Sequence, residues 1–537
     1  MTFRAGADAS FQAGDDTMSR RTLLFIIFCC CTSVLSFAVF SVSPAAGGTS
    51  VSSPHPSTDT GLLKIDYPLD DTMFPIDMAA PVFRWTDREP ASKWRLEFKF
   101  ADDLPPLKIL CDLNRWKPEN KAWSDIKRRS LEKAAELVII SLDSGGREIQ
   151  NRRAAIRWKT SSDPVGAPIF YRDVQLPFRA AFMKINEIEW KLGRVSSGKP
   201  PRTILTNLMA CANCHSFPSD GSILAMDVDY GNDKGSYIIS PIGKEVHLNP
   251  EEIISWTDYS PGDTDKTFGL LSQISPDGRY VISTVRDRPV QLPTTGIEYS
   301  QLFFPIKGIL VVYDRQTRKM VSLPGADSPE FVQTNPAWSP DGKWIVFARA
   351  AADDCVDVRG KYIENRTKFR YDLYRIPFNA GRGGTAAPLE GASFNGKSNF
   401  FPRYTPDGKW IVFCQADSYM LLQADSLLYR VPAEGGSPKL MRCNRNGNMN
   451  SWHSISPNGR WLVFASKAGG PYTQMWLTHI DPMGNDNPPV LLENFISEKR
   501  AANIPEFVNI PEGKMQAIHQ HIFKNKEDGQ TGKKNKS

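Results

Sequence analysis

Trp94, Leu96, Phe98 and Phe100 alternate with Arg95, Glu97 and Lys99, the period-two signature of a strand with one buried face. Shorter apolar runs at 82–85, 137–142 and 156–159 have turn residues between them. Strands at this spacing over about a hundred residues predict a small β-sandwich of immunoglobulin or fibronectin type, placed at 62–180. Residues 123–133 break the alternation and predict a short helix inserted in it.

From 185 onward the pattern becomes a repeat. Ser275-Pro276-Asp277-Gly278 leads into the apolar run Tyr280-Val281-Ile282. Ser339-Pro340-Asp341-Gly342, Thr405-Pro406-Asp407-Gly408 and Ser456-Pro457-Asn458-Gly459 each lead into Trp-Ile/Leu-Val-Phe. Pro followed by Asp-Gly or Asn-Gly sets the dihedral angles of a turn, and the run after it reads as a buried strand, so each copy is a hairpin. Ser219-Asp220-Gly221 and Pro511-Glu512-Gly513 are degenerate copies. Turn positions 220, 277, 341, 407, 458 and 512 are separated by 57, 64, 66, 51 and 54 residues, which predicts six propeller blades. The last blade is short of strands, and segments 188–192 and 202–208 are expected to join it and close the ring.

The Ser-Pro-Asp-Gly-Arg/Lys-aromatic copies resemble the repeats of TolB-type β-propellers over roughly residues 185–520. The resemblance implies an all-β fold: a six-bladed TolB-like propeller over 185–523, preceded by the sandwich. It also implies protein or peptide binding at the funnel mouth. Such propellers also front prolyl-oligopeptidase-type hydrolases, but the sequence holds no G-x-S-x-G. No acid, base and nucleophile set can be assembled from the motifs present, so an enzyme is the least supported class.

Lys+Arg 65 against Asp+Glu 59 leaves a net charge of +6, slight for 537 residues. No basic stripe with interleaved aromatics occurs, which argues against a nucleic-acid partner. Residues 23–40 form an uncharged apolar run preceded by Arg20 and Arg21 and followed by Ala45 and Ala46. Segment 1–42 is therefore expected to be either a cleaved signal peptide or a retained membrane anchor, with the bulk of the chain exported to the periplasm. Residues 43–61, rich in Ser, Pro, Gly and Thr, read as a flexible tether, and the Lys-rich 524–537 as a disordered tail.

The chemistry-bearing motif is Cys211-Ala212-Asn213-Cys214-His215. CxxCH is the pattern to which haem c is attached by two thioethers, with the histidine as proximal iron ligand. The same pair of cysteines also reads as a disulfide, a redox dithiol or half a zinc site. Counting back five residues from each turn aligns His215 with His453 near the innermost strands of two blades. His453 is thus a candidate distal ligand, against the simpler reading of a histidine hydrogen-bonded within its blade. Met226 falls where Phe347, Phe413 and Phe464 sit and is expected in a core; Met449 and an open coordination site are further distal options. Asp227, Asp229 and Asp233 lack EF-hand spacing and read as a solvated turn or a calcium loop.

Two function classes follow. One is an exported monohaem c-type cytochrome-like propeller that transfers single electrons or senses a small ligand, with a redox or envelope protein partner. The other is a non-redox binding or scaffolding propeller whose CxxC is structural.

Overall fold

The computed structural model describes residues 61–522, apart from 90, 210, 211, 263–266, 295 and 446. The export segment expected at 1–42, nearly all of the tether, and the tail at 524–537 lie outside the described residues. Among the described residues, no helix is long and apolar enough to cross a membrane.

The repeated turn explains itself atom by atom. Ser339 Oγ donates to Asp341 Oδ1 at 2.6 Å and accepts from Trp344 N at 2.9 Å, while Asp341 Oδ1 also accepts from Lys343 N at 3.1 Å. Thr405 with Asp407, and Ser456 with Asn458, repeat the arrangement. Gly342 has φ +68°, a left-handed conformation that glycine alone adopts without strain. The hydroxyl, carboxylate and glycine thus close the turn locally. They start the next strand at the aromatic residue.

Six four-stranded blades result, counted from the axis outward. Blade 1 runs His215–Ser216, Ile223–Asp227, Ser236–Pro241 and Ile253–Ser255. Blades 2 to 5 begin on the inner strands Leu270–Ile274, Phe331–Trp338, Ser398–Tyr404 and Asn450–Ile455. The middle strands of blade 2, Tyr280–Pro293 and Gln301–Asp314, are each 14 residues long and stay paired from Tyr280 with Asp314 to Pro293 with Gln301.

Blade 6 closes the ring. Its inner strand Arg500–Phe507 pairs antiparallel with Ile169–Gln175, which in turn carries Glu189–Gly193 and Arg202–Leu205. The segments expected to close the ring do join this blade, but Ile169–Gln175 stands between them and the inner strand. The propeller therefore begins at Ile169, within the stretch that sequence adjacency assigns to the sandwich. Asp173, 1% exposed, ties this blade together by accepting from Arg500 Nε at 2.7 Å, Ser497 Oγ at 2.6 Å and Lys191 Nζ at 2.5 Å. After the Pro511–Gly513 turn the chain adds no strand to the blade 6 sheet, though the Met515 carbonyl accepts from Arg202 Nη2 of its outer strand at 3.0 Å. Ala517–Gln520 instead pairs parallel with Glu245–Leu248 of the first repeat, a second latch on the ring.

The sandwich packs a three-stranded sheet (Leu63–Tyr67, Phe83–Asp87, Arg115–Trp116) on a five-stranded one. Leu96 and Phe98 point into its core, as their alternation requires, with Phe74, Phe83 and Trp158. The inserted helix spans Asn120–Arg129 and buries Trp123 and Ile126. This core is continuous with the middle strands of blade 5 through Trp461, Val463, Met475 and Leu477. Trp461 Nε1 donates to the Asp163 carbonyl at 3.1 Å, and His479 Nε2 lies 3.0 Å from Asp163 Oδ2, so sandwich and propeller dock through both apolar and polar contacts.

Candidate functional site

The inner strands share a feature that no residue type announces. Leu271, Asn335, Phe401, Trp452 and Ile504 all have φ between +41° and +59°, each at a register shift in its strand. A left-handed residue of this kind is strained, and strain of about 1–3 kcal/mol per residue persists only where surrounding structure enforces it. Each bulge turns one side chain toward the propeller axis. In blade 1 the matching position, one residue before the histidine of the alignment, is Cys214.

Cys214, Leu271, Asn335, Phe401, Trp452 and Ile504 thus form a collar with one residue from each blade. Below it a narrow axial cavity of about 20 Å³ is lined also by His215, Gln273, Arg403, His453 and Glu506. That volume holds about one water molecule and excludes any larger ligand. Above it opens a basin of about 190 Å³, walled by Phe178, Phe182, Phe303, Leu421 and Trp452 and bordered by Cys214 itself. Phe401 and Trp452 stack at 4.1 Å between ring centroids. Arg172 and Lys467 add positive charge to the wall, with Asp227, Asp229 and Glu298 opposing it. Lys467 is 1% exposed, and burial lowers its pKa to about 8.

The segment carrying Cys214 is held by Asp227, on the basin side. Its carboxylate accepts from Cys214 N at 2.9 Å and Asn213 N at 3.3 Å, and its own N–H donates to the Cys214 carbonyl at 3.1 Å. Burial raises the Asp227 pKa to about 6 even though those amides and Arg172 pull it down. Burial also pushes the Cys214 thiol well above its ordinary value. Cys211 lies outside the described residues.

His215 is 1% exposed and packs edge-on against Phe170 at 4.6 Å and near Phe217 at 6.1 Å. Neither ring nitrogen has a hydrogen-bond partner of ordinary geometry, although the Ile504 backbone lies close enough to oppose the shift that burial imposes. Burial, with Arg172 and Arg403 in the same direction, lowers its pKa to about 3, so the ring is neutral. A buried imidazole with no hydrogen bond of ordinary geometry is unusual, because an unmet buried polar group costs about 1–3 kcal/mol.

His453 is placed differently. Its Nε2 lies 3.1 Å from the Val412 carbonyl and its Nδ1 3.9 Å from Cys414 Sγ, contacts with the neighbouring blade. It shares the axial cavity with His215 but does not border the basin. Met226, 0% exposed, lies in the core between blades 6 and 1; Met449 is also buried. The acidic cluster divides its work: Asp227 holds the cysteine segment, Asp229 pairs with Lys234, and Asp233 accepts from Thr257 Oγ1 at 2.8 Å and from Ser255. Cys111, Cys414 and Cys443 are buried as free thiols, and Cys355 is half-buried.

No protein-family model matches the chain, and no curated protein matches it. Solved structures do. TolB from Acinetobacter baumannii aligns at 14% identity and a TM-score of 0.39, over 70% of this chain and 79% of that one. A TolB from Agrobacterium tumefaciens aligns at 14% and 0.35, over 66% and 94%. The structural neighbours include TolB-type propellers. An oligogalacturonate lyase from Vibrio parahaemolyticus aligns at 15% and 0.35, over 55% and 70%. At these identities the likeness is of fold alone.

Proposed function

We propose that this chain is an exported propeller that carries one haem c at its funnel mouth and serves single-electron transfer or small-ligand sensing with an envelope or redox protein partner. The observation that carries this reading is the position of Cys214. The second cysteine of the CxxCH motif occupies the collar and borders the apolar basin, where a porphyrin linked to it has aromatic walls on which to lie. Arg172 and Lys467 suit the carboxylates of such a ligand. The nitrogens of His215, held by no hydrogen bond of ordinary geometry, suit an imidazole that has an iron to bind. As folded, His215 lines the axial cavity and not the basin, so ligation requires the Cys214–His215 segment to turn; Asp227 is the anchor that this turn must release. Thioether formation takes place on the unfolded, exported chain, so the raised pKa of the folded Cys214 thiol does not oppose it. A haem c held there supplies a one-electron couple at the surface where a partner docks.

The experiment is a haem-stained denaturing gel of protein made in a host with cytochrome c maturation. A stained band that Cys214→Ala abolishes is expected. An unstained band from matured protein refutes the reading. One observation favours the second reading, a non-redox binding propeller: Phe182, on the basin wall, is 58% exposed, and the adjoining Met183 is 77% exposed, as in a surface that receives a peptide.

A further inference from the structure

Of seven histidines in the chain, three meet at the second latch. The parallel pairing sets His247 opposite His519 and Glu245 opposite Ala517, and the ladder continues through His521 N donating to the Leu248 carbonyl at 2.9 Å. Side chains on one face of a strand recur every second residue. Glu245 and His247 therefore share a face with His519 and His521, while Val246, Leu248 and Ile518 go inward to the core. Four metal-ligating groups form a two-by-two array on the outer surface, drawn from strands 274 residues apart.

Their contacts are specific. His247 stacks on His519 at 5.2 Å and on His521 at 5.2 Å, with interplanar angles of 22° and 11°. His247 Nδ1 lies 2.9 Å from His521 Nε2, so the two rings share one proton. His519 Nε2 contacts Glu245 Oε2, so Nε2 is the donor to that carboxylate and Nδ1 is the nitrogen available to a metal. Glu245 and His519 are about half exposed, so their side chains have room to rotate.

We propose that this array binds one divalent transition-metal ion of the zinc class through His247, His521 and His519, with Glu245 orienting His519. Imidazole suits zinc, copper and nickel. Tetrahedral bonds of about 2.0–2.1 Å place two ligand nitrogens roughly 3.3 Å apart, so the His247–His521 pair opens only slightly to admit the metal; the donating ring passes its proton through solvent to its own other nitrogen, and both neutral rings then present lone pairs. Among the described residues no three such donors are arranged to hold a metal as folded, so the proposal requires the His247, His519 and His521 rings to turn about their side-chain bonds on binding. Bound there, the ion staples the C-terminal strand to the first repeat.

The test is calorimetric titration of the full chain with zinc chloride, alongside its melting temperature with and without zinc. Wild type is expected to bind one equivalent at this site and to melt higher with zinc. His247→Ala/His521→Ala loses that equivalent and the shift, Glu245→Gln weakens binding about tenfold, and Cys214→Ala keeps both, which separates this site from the cysteine motif. Zinc binding and stabilisation that survive in the double histidine variant, or wild type without zinc binding, overturn the proposal. Should the double variant fail to fold, the tenfold loss in Glu245→Gln decides, and its absence overturns the proposal equally.

Discussion

His453→Gln in the chain produced without haem isolates the price of keeping a neutral imidazole on the propeller axis. Burial, reinforced by the Arg403 cation, holds His453 at about 3, against 6.5 for an exposed imidazole. The folded state therefore stays unprotonated at pH 5, while the unfolded chain takes up a proton below 6.5. Stability from this residue is fully present above that value and is lost as pH falls. Between pH 7 and pH 5 the unfolded histidine gains about 2 kcal/mol, a figure that depends on the unfolded pKa alone because the folded one lies so far below. Glutamine keeps an N–H for the Val412 carbonyl, now 3.1 Å from His453 Nε2, and has no proton to take up. Urea unfolding at pH 7 and pH 5 should show the variant losing about 2 kcal/mol less than wild type on acidification. Because Asp227 and Asp287 shift in the opposite sense, the comparison with wild type carries the result and the absolute slope does not. If the two proteins lose equal stability within about 0.5 kcal/mol, the placement of His453 as a buried neutral ring is refuted.

Asp287, accepting from Thr267 Oγ1 and Phe268 N at 2.7 Å each, is raised by burial from 3.8 to about 6. Its protonated form is favoured in the fold, so stability falls as pH rises through that window; Asp287→Asn should remove about 1 kcal/mol of loss between pH 5 and pH 7 in the same urea assay. Asp173→Ala removes the buried carboxylate that Arg500 and Lys191 share, leaving Lys191 with Glu189 and Arg500 with backbone carbonyls, and should destabilise the closed ring by about 2–4 kcal/mol, read as a lower urea midpoint. Trp461→Ala removes a fully buried ring and its bond to the Asp163 carbonyl, at about 3–5 kcal/mol; protease should then cleave between sandwich and propeller faster than in wild type.

The propeller is written in the chain because its turn chemistry is local: Ser339, Asp341 and Gly342 sit within four residues of one another and close the same hairpin wherever the pattern recurs. The strand that completes blade 6 is not local. Ile169–Gln175 is buried on both faces, so it lacks the alternation that marks a strand, and its partner lies more than 300 residues away. The Pro511–Gly513 turn misleads for the same reason, since the strand after it pairs with the first repeat and not within its own blade. At the site, counting back from the turns places His215 and His453 on inner strands, where the structure has them. The collar escapes such counting because its left-handed positions hold Leu271, Asn335, Phe401 and Trp452, side chains with nothing in common. Asp227 reads from sequence as one of three clustered acids; only the fold commits it to the amides of the cysteine segment while Asp229 pairs with Lys234.

The claim on which the functional account rests is a covalent porphyrin at Cys211 and Cys214. Intact-mass spectrometry of the matured, denatured protein tests it directly. The account predicts the polypeptide mass plus one haem, returning to the polypeptide mass alone when both cysteines are replaced by alanine. A matured chain that shows only its polypeptide mass contradicts it.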